Sequence, residues 1–323
     1  MASATPLVAS AALAQVLGVR RAWLKLESSH ASGSFKERGM RVLCAAHRAS
    51  GARRVVSSSG GNAGLAAALV ARELGLECLV VVPSTTKALM VDKIKLHGAT
   101  VRVHGDNWNG ADALARELCQ AGSGSAYVPP FDHPLLWEGH SQLVDELAAQ
   151  MAAQGGSRAP DLVVASVGGG GLLSGVLHGL ARQGGEWASH TRVVAAETRG
   201  AASMAAALAA GHPVRLAEIK TIATSLGALA VSEDVVRLAK AHAGGVVSGV
   251  VEDADCVRAC VWLADHARLL VEPACGAALA AMHQAVAAMP AEERAGAEVV
   301  LVVCGGSAIS LDMLAEYRKQ FAC

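Results

Sequence analysis

Leu162-Val163-Val164-Ala165-Ser166-Val167 runs straight into Gly168-Gly169-Gly170-Gly171, and these lead into Leu172-Leu173-Ser174-Gly175-Val176. A short apolar run, a glycine turn and an Ala/Leu-rich segment of helical period read as strand, tight turn and helix. The same alternation extends in both directions. Strands are expected at 23–26, 55–57, 79–82, 101–104, 162–165, 193–196, 246–250 and 299–303. Helical patterns fill most of the gaps, at 62–74, 87–96, 111–121, 143–153, 172–182, 234–242, 254–267, 274–288 and 309–321. Strands alternating with helices give parallel sheets covered by helices. Residues 122–125 read as a loop and 154–158 as a short polar linker.

Composition narrows the class. A length of 323 residues suggests about two domains. With 52% hydrophobic and 17% charged residues, the chain has enough apolar surface for a large core. Aromatics are only 3%, so that core must be built from Ala, Val and Leu. The net charge is 0 and no basic run occurs, which argues against a nucleic-acid partner. Apolar stretches break well short of the ~20 residues that a membrane helix needs. Residues 1–19 lack a basic start before their apolar part, so no signal peptide is expected. The eight cysteines are scattered without a C-x-x-C pair, as in a reduced cytoplasmic protein. Cys256 and Cys260 lie four apart, but no nearby histidine completes a zinc site.

Four short stretches carry possible chemistry. The first is Ser32-Gly33-Ser34-Phe35-Lys36-Glu37-Arg38-Gly39. A lysine near a strand end is usually solvated, whereas a covalent lysine needs burial or a neighbouring cation to become nucleophilic. The second, Ser57-Ser58-Ser59-Gly60-Gly61-Asn62-Ala63-Gly64, leads into a helix whose N–H groups could converge on an anion. It could equally be a plain turn with Asn62 near the N-cap. The third is Gly168–Gly171, suited to a phosphate or to a tight turn. The G-x-G-x-x-G register fails, since Leu173 and Ser174 stand where the last glycine belongs, and no P-loop motif occurs. The fourth, Cys304-Gly305-Gly306-Ser307, ends an apolar strand, where cysteine is usually a small core residue.

In order and spacing these stretches resemble fold-type II pyridoxal-phosphate enzymes, and most closely the short serine/threonine dehydratases. The flanks agree: Thr5-Pro6-Leu7, Trp23-Leu24-Lys25-Leu26-Glu27, Pro129-Pro130-Phe131-Asp132, Trp137-Glu138-Gly139-His140 and Val271-Glu272-Pro273-Ala274-Cys275-Gly276-Ala277-Ala278. The resemblance implies two open, mostly parallel twisted sheets flanked by helices, in the manner of tryptophan synthase β. It implies a large domain of residues 1–36 plus 138–323 and an inserted small domain of 37–137. Lys36 would bind pyridoxal 5′-phosphate as a Schiff base and act as the catalytic base. Phe35 would pack on the ring. Asn62 would bond the 3-oxygen, Gly168, Gly169, Gly170, Gly171 and Leu172 would hold the phosphate, and Cys304 would face the ring nitrogen. Ser59, Gly60, Gly61, Asn62 and Ala63 would grip the substrate carboxylate. Glu197, with carbonyls of Gly168, Ala201, Leu226 and Ala228, would hold a monovalent cation such as potassium.

The activity implied is elimination from L-serine to pyruvate and ammonia, with L-threonine to 2-oxobutanoate beside it, in a cytoplasmic homodimer. Two rivals stand next to it. A serine racemase shares the fold, but its pattern places a serine at position 60 and a histidine after the asparagine; here Gly60 and Ala63 stand there. Gly60 would leave room beside the substrate. A catalytically silent metabolite-binding relative would be expected to lack the lysine. The chain ends soon after its last helix, so a C-terminal regulatory domain and feedback by isoleucine are not expected.

Overall fold

A computed structural model describes residues 4–120, 124–155 and 159–323. The segments read as loop and linker include 122, 123 and 156–158, which lie outside the described residues, as does the last residue of the helix expected at 111–121. The strands are β1 (Leu7–Ala9), β2 (Arg21–Lys25), β3 (Arg54–Ser57), β4 (Glu77–Val82), β5 (Thr100–Val103), β6 (Ser125–Tyr127), β7 (Leu162–Ser166), β8 (Arg192–Thr198), β9 (Val246–Val251) and β10 (Glu298–Val302).

The chain divides into two compact units. The first, His30–His140, contains a four-stranded sheet of order β5-β4-β3-β6, parallel throughout. The second, Ala4–Ser29 with Ser141–Cys323, contains a six-stranded sheet of order β1-β2-β10-β7-β8-β9. Only the β1–β2 pair in it is antiparallel. Two mostly parallel sheets flanked by helices are thus the fold that the alternation predicts.

Burial explains which strands are central. Every residue of β7 and β10 is buried, as parallel strands covered on both faces must be. β5, at a sheet edge, is largely exposed and carries Thr100 and Arg102. With few aromatics the core packs by close approach of small side chains. Helix Asn62–Leu74 buries Ala63 through Ala71 without a break, and helix Pro273–Ala287 buries Pro273 through Met282.

All eight expected strands are present. β1 and β6 escape a pattern reading because three residues carry no periodicity. Helix Lys36–Ala49 is the more consequential difference. Gly33 and Ser34 read as loop and the first helical turn is highly charged, so Lys36 looks like a residue near a strand end. It is instead the first residue of a fourteen-residue helix.

Candidate functional site

In parallel sheets the loops past the carboxyl ends of the strands are where ligand groups gather. The fold delivers the candidate residues there. β3 leads into Ser58–Ala63, β6 leads toward Pro130, β7 leads into Gly168–Gly171, and β10 leads into Cys304. Glu197 is the penultimate residue of β8.

In the first unit Lys36 is held from several sides. Its Nζ donates to the Pro130 carbonyl at 2.5 Å and lies 5.0 Å from the Phe35 ring centroid. Phe35 in turn packs edge-on against His140, with centroids 4.9 Å apart. The helix bearing Lys36 crosses helix Pro134–Ala153 at two glycines. A Cβ on Gly39 would fall 2.6 Å from His140 Cε1, and one on Gly139 would fall 2.6 Å from the Gly39 Cα. No larger residue permits that approach, so the pair of glycines fixes where the helix begins. Glu37 ties down the preceding loop. Its buried carboxylate accepts the Ser32 N–H at 2.8 Å and bonds from Arg41 at 2.7 and 3.0 Å. Burial opposes its ionisation, but the Ser32 N–H and the Arg41 guanidinium together hold its pKa below the ordinary carboxylate value. Neither Glu37 nor His140 is assigned a role by the sequence reading.

The glycine-rich loop sits at the start of helix Asn62–Leu74, and Gly61 at the N-cap supplies no side-chain cap. Its first-turn N–H groups are therefore suited to an anion. Gly64 is demanded by the loop: the Ser59 carbonyl lies where a Cβ would go. Gly60 departs from expectation. Its Cβ direction does not open into space but meets Thr86 Cγ2 at 2.6 Å and Thr86 Oγ1 at 2.7 Å. Gly60→Ser should therefore lower kcat/KM by about tenfold or more through a displaced loop, since a misplacement of ~1 Å suffices. Thr86→Ala in the same chain should restore most of it. Steady-state assays on the single and double variants check this; equal activity of the single variant and wild type would mean that Thr86 does not confine the loop.

Ser58, buried within the same loop, donates to Asp112 Oδ1 at 2.6 Å. Tyr127 donates to the same oxygen, and Arg116 donates to Asp112 Oδ2 at 2.7 Å. The Arg116 guanidinium also lies 4.3 Å from the Tyr127 ring centroid. Burial raises the pKa of Asp112, but the bonds from Arg116, Ser58 and Tyr127 outweigh it and the carboxyl is held below its usual value.

In the second unit helix Gly171–Gln183 starts at the last of the four glycines, and no side chain caps it. Gly170 is left-handed at φ 99°, and a Cβ on it would strike Val235 Cγ1 at 2.7 Å. A Cβ on Gly168 would lie 3.0 Å from the Ser225 carbonyl oxygen. A cradle closed to side chains and lined by the N–H groups of an uncapped helix start fits a phosphate dianion. Leu172 is buried in the first turn.

Glu197 is fully buried, and its two oxygens accept the Met204 and Ala205 N–H groups at 2.7 and 2.8 Å. Burial pushes its pKa up to about 7, with those two donors pulling the other way. Gly168 and Leu226 are neighbours, a Cβ on the former lying 3.3 Å from the latter's Cα. The Leu226 carbonyl accepts the Ala228 N–H at 2.8 Å. Ala201 closes the short helix Arg199–Ala201 directly after β8.

Cys304 is buried and receives a hydrogen bond from Ser166 Oγ at 3.2 Å. Hydrogen bonding with Cys275 and burial push the thiol well above its ordinary pKa, so it stays neutral across the working range. Glu272, quoted above only as a flank, organises the loop beyond it. Its carboxylate accepts the Ala308 N–H at 2.6 Å and the Ser225 hydroxyl. Gly306, at φ 125°, passes so close that a Cβ would lie 2.5 Å from Glu272 Cγ.

Comparison with known proteins bears on the whole chain. The family model described as pyridoxal-phosphate dependent enzyme matches residues 2–305. A mouse protein named serine dehydratase-like is 45% identical over 323 residues, covering 99% of this chain and 94% of its own. A bovine protein named L-serine dehydratase/L-threonine deaminase is 43% identical, covering 98% and 94%. Among solved structures, an L-serine ammonia-lyase from the fungus Rhizomucor miehei aligns with a TM-score of 0.90 at 36% identity, covering 99% of each chain.

Proposed function

From a chain that belongs to the pyridoxal-phosphate dependent enzyme family, we propose an L-serine dehydratase that also accepts L-threonine, giving pyruvate or 2-oxobutanoate and ammonia. The substrate class is that of the mammalian and fungal relatives. The observation that carries the reading to elimination over transamination is the buried neutral thiol of Cys304, while Gly60 and Ala63 turn it from racemisation.

The residues take these roles. Lys36 would hold the cofactor covalently and, with its amine free, would remove the substrate α-proton as general base. Phe35 packs on the ring and Asn62 bonds its 3-oxygen. Gly168, Gly169, Gly170, Gly171 and Leu172 hold the phosphate through backbone N–H groups. When bound, the cofactor supplies an electron sink for the charge that develops at the α-carbon. A thiol facing the ring nitrogen would not support a protonated ring as a carboxylate would, so the sink would be moderate and loss of the β-hydroxyl would be favoured over transamination. Ser59, Gly60, Gly61, Asn62 and Ala63 orient the substrate carboxylate. Glu197, with carbonyls of Gly168, Ala201, Leu226 and Ala228, takes a potassium ion; a cation there would favour the ionised carboxylate against its burial. The same reading divides the chain into 1–36 plus 138–323 and 37–137, and carries a homodimer and a cytoplasmic setting. The eight free thiols accord with a reducing compartment.

The test is ketoacid and ammonia release from L-serine and L-threonine by the cofactor-loaded protein, in potassium and in tetramethylammonium salts, with light scattering for the dimer. Failure of either amino acid to yield ketoacid overturns that substrate. Equal rates in both salts overturn the cation site. Cys304 gives a sharper check. Cys304→Ser should keep clean elimination, whereas Cys304→Asp should slow ammonia release and raise the share of pyridoxamine phosphate formed by transamination. Unchanged product ratios in a folded, loaded Cys304→Asp protein would mean that Cys304 does not face the cofactor.

A further inference from the structure

Asp112 lies on helix Trp108–Glu117, fifty residues from the loop that grips the substrate carboxylate in the reading above, and yet it joins two elements of that site. One of its oxygens receives both Ser58 Oγ and Tyr127 OH, and these two hydroxyls are themselves 3.1 Å apart. Ser58 adjoins Ser59, the first residue of the carboxylate loop. Tyr127 ends β6, three residues before Pro130, whose carbonyl takes the Lys36 Nζ. The second Asp112 oxygen is bound by Arg116 four residues on, which also covers the Tyr127 ring. Ser58 is fully buried and Asp112 nearly so, so the bond between them does not exchange freely with water.

We propose that Asp112 is a positioning residue: through Ser58 and Tyr127 it sets the register of the substrate loop against the Val128–Pro130 segment that meets Lys36. A carboxylate serves where an amide would not, because it accepts both hydroxyls on one oxygen and the guanidinium on the other. If either hydroxyl is removed, its partner loses a bond in the same cluster, so a change on one segment is felt on the other. The proposal rests on the dehydratase reading for its kinetic consequence but not for its structural one.

The test therefore has two readouts. Amide hydrogen exchange in the cofactor-loaded protein without substrate should speed up at least about fivefold at Val128 and Phe131 of Ser58→Ala, the two residues of that segment that carry an N–H, and in residues 58–64 of Tyr127→Phe. Exchange in β4 and β5 should stay as in wild type. In steady-state assays both variants should lose about tenfold in kcat/KM for L-serine, mainly through KM, as expected for a group that orients substrate without touching the reacting atoms. Asp112→Asn should show both exchange effects together. If each hydroxyl variant loosens only its own segment, or if exchange rises evenly through the unit, Asp112 is merely structural and the proposal fails. If wild-type protein does not turn over L-serine at all, the functional reading fails while the exchange data still decide the clamp.

Discussion

Lys36→Ala should lose at least about 10³-fold in turnover, since the proposed mechanism makes one side chain both the covalent anchor and the base. The loss should be chemical and not structural. The bond of Lys36 to the Pro130 carbonyl and its contact with the Phe35 ring are worth about 2 kcal/mol together. The helix behind it is located by the Gly39–Gly139 crossing, the Glu37 carboxylate and the His140 ring, none of which the substitution touches. Thermal unfolding should therefore shift by no more than about 3 °C. Borohydride reduction of the loaded wild type should leave a pyridoxyl label on the peptide containing residue 36, and the variant should carry none. Lys36→Arg should be equally inactive, because a guanidinium keeps the charge but cannot be deprotonated to act as nucleophile or base. Ketoacid production at the wild-type rate by a folded variant would remove Lys36 from the mechanism.

What the sequence made legible follows the range of each signal. β7, Gly168–Gly171 and helix Gly171–Gln183 are consecutive, so an apolar run, a glycine turn and a helical period announce them together. Cys304 is visible in the same way, as the residue that stops a strongly apolar strand. The groups that escaped reading act across chain separations that only the parallel crossovers close. Thr86 confines Gly60 because β3 and β4 are neighbours and their end loops therefore meet. Asp112 reaches Ser58 from a helix that looks, by itself, like an exposed face with an Asp–Arg pair four apart, and such pairs are commonly solvated. Glu272 reads as an N-cap before Pro273, and its hold on Ala308 depends on a loop thirty-six residues away. Pattern and propensity specify elements; they do not say which polar side chain the folded sheet will place beside which loop.

Gly64→Ala and Gly110→Ala should move stability in opposite directions, although both replace a glycine inside a helix by the best helix former. On propensity alone each substitution gains up to about 1 kcal/mol. Gly110 should deliver that gain: it is half-buried on helix Trp108–Glu117, and the nearest atom to an added Cβ is the Gly105 Cα at 3.8 Å, an ordinary contact. Gly64 cannot. An added Cβ would overlap the Ser59 carbonyl oxygen, sit 3.0 Å from its carbon and press on Val80 Cγ1 at 3.1 Å. The first two of those atoms are backbone, and rotation of a side chain cannot relieve them. Either the helix start or the Ser59–Gly61 loop must shift, and overpacking of this kind costs about 3 kcal/mol, more than propensity returns. On the proposed function the same displacement carries the N–H groups that orient the substrate carboxylate out of line, so KM for L-serine should rise by about tenfold or more in whatever fraction remains folded. Denaturant midpoints for the two variants, read beside KM, separate the contributions. If Gly64→Ala were as stable as Gly110→Ala with an unaltered KM, the close approach of Ser59 to the helix would not exist in solution, and the loop would need another means of staying where the substrate requires it.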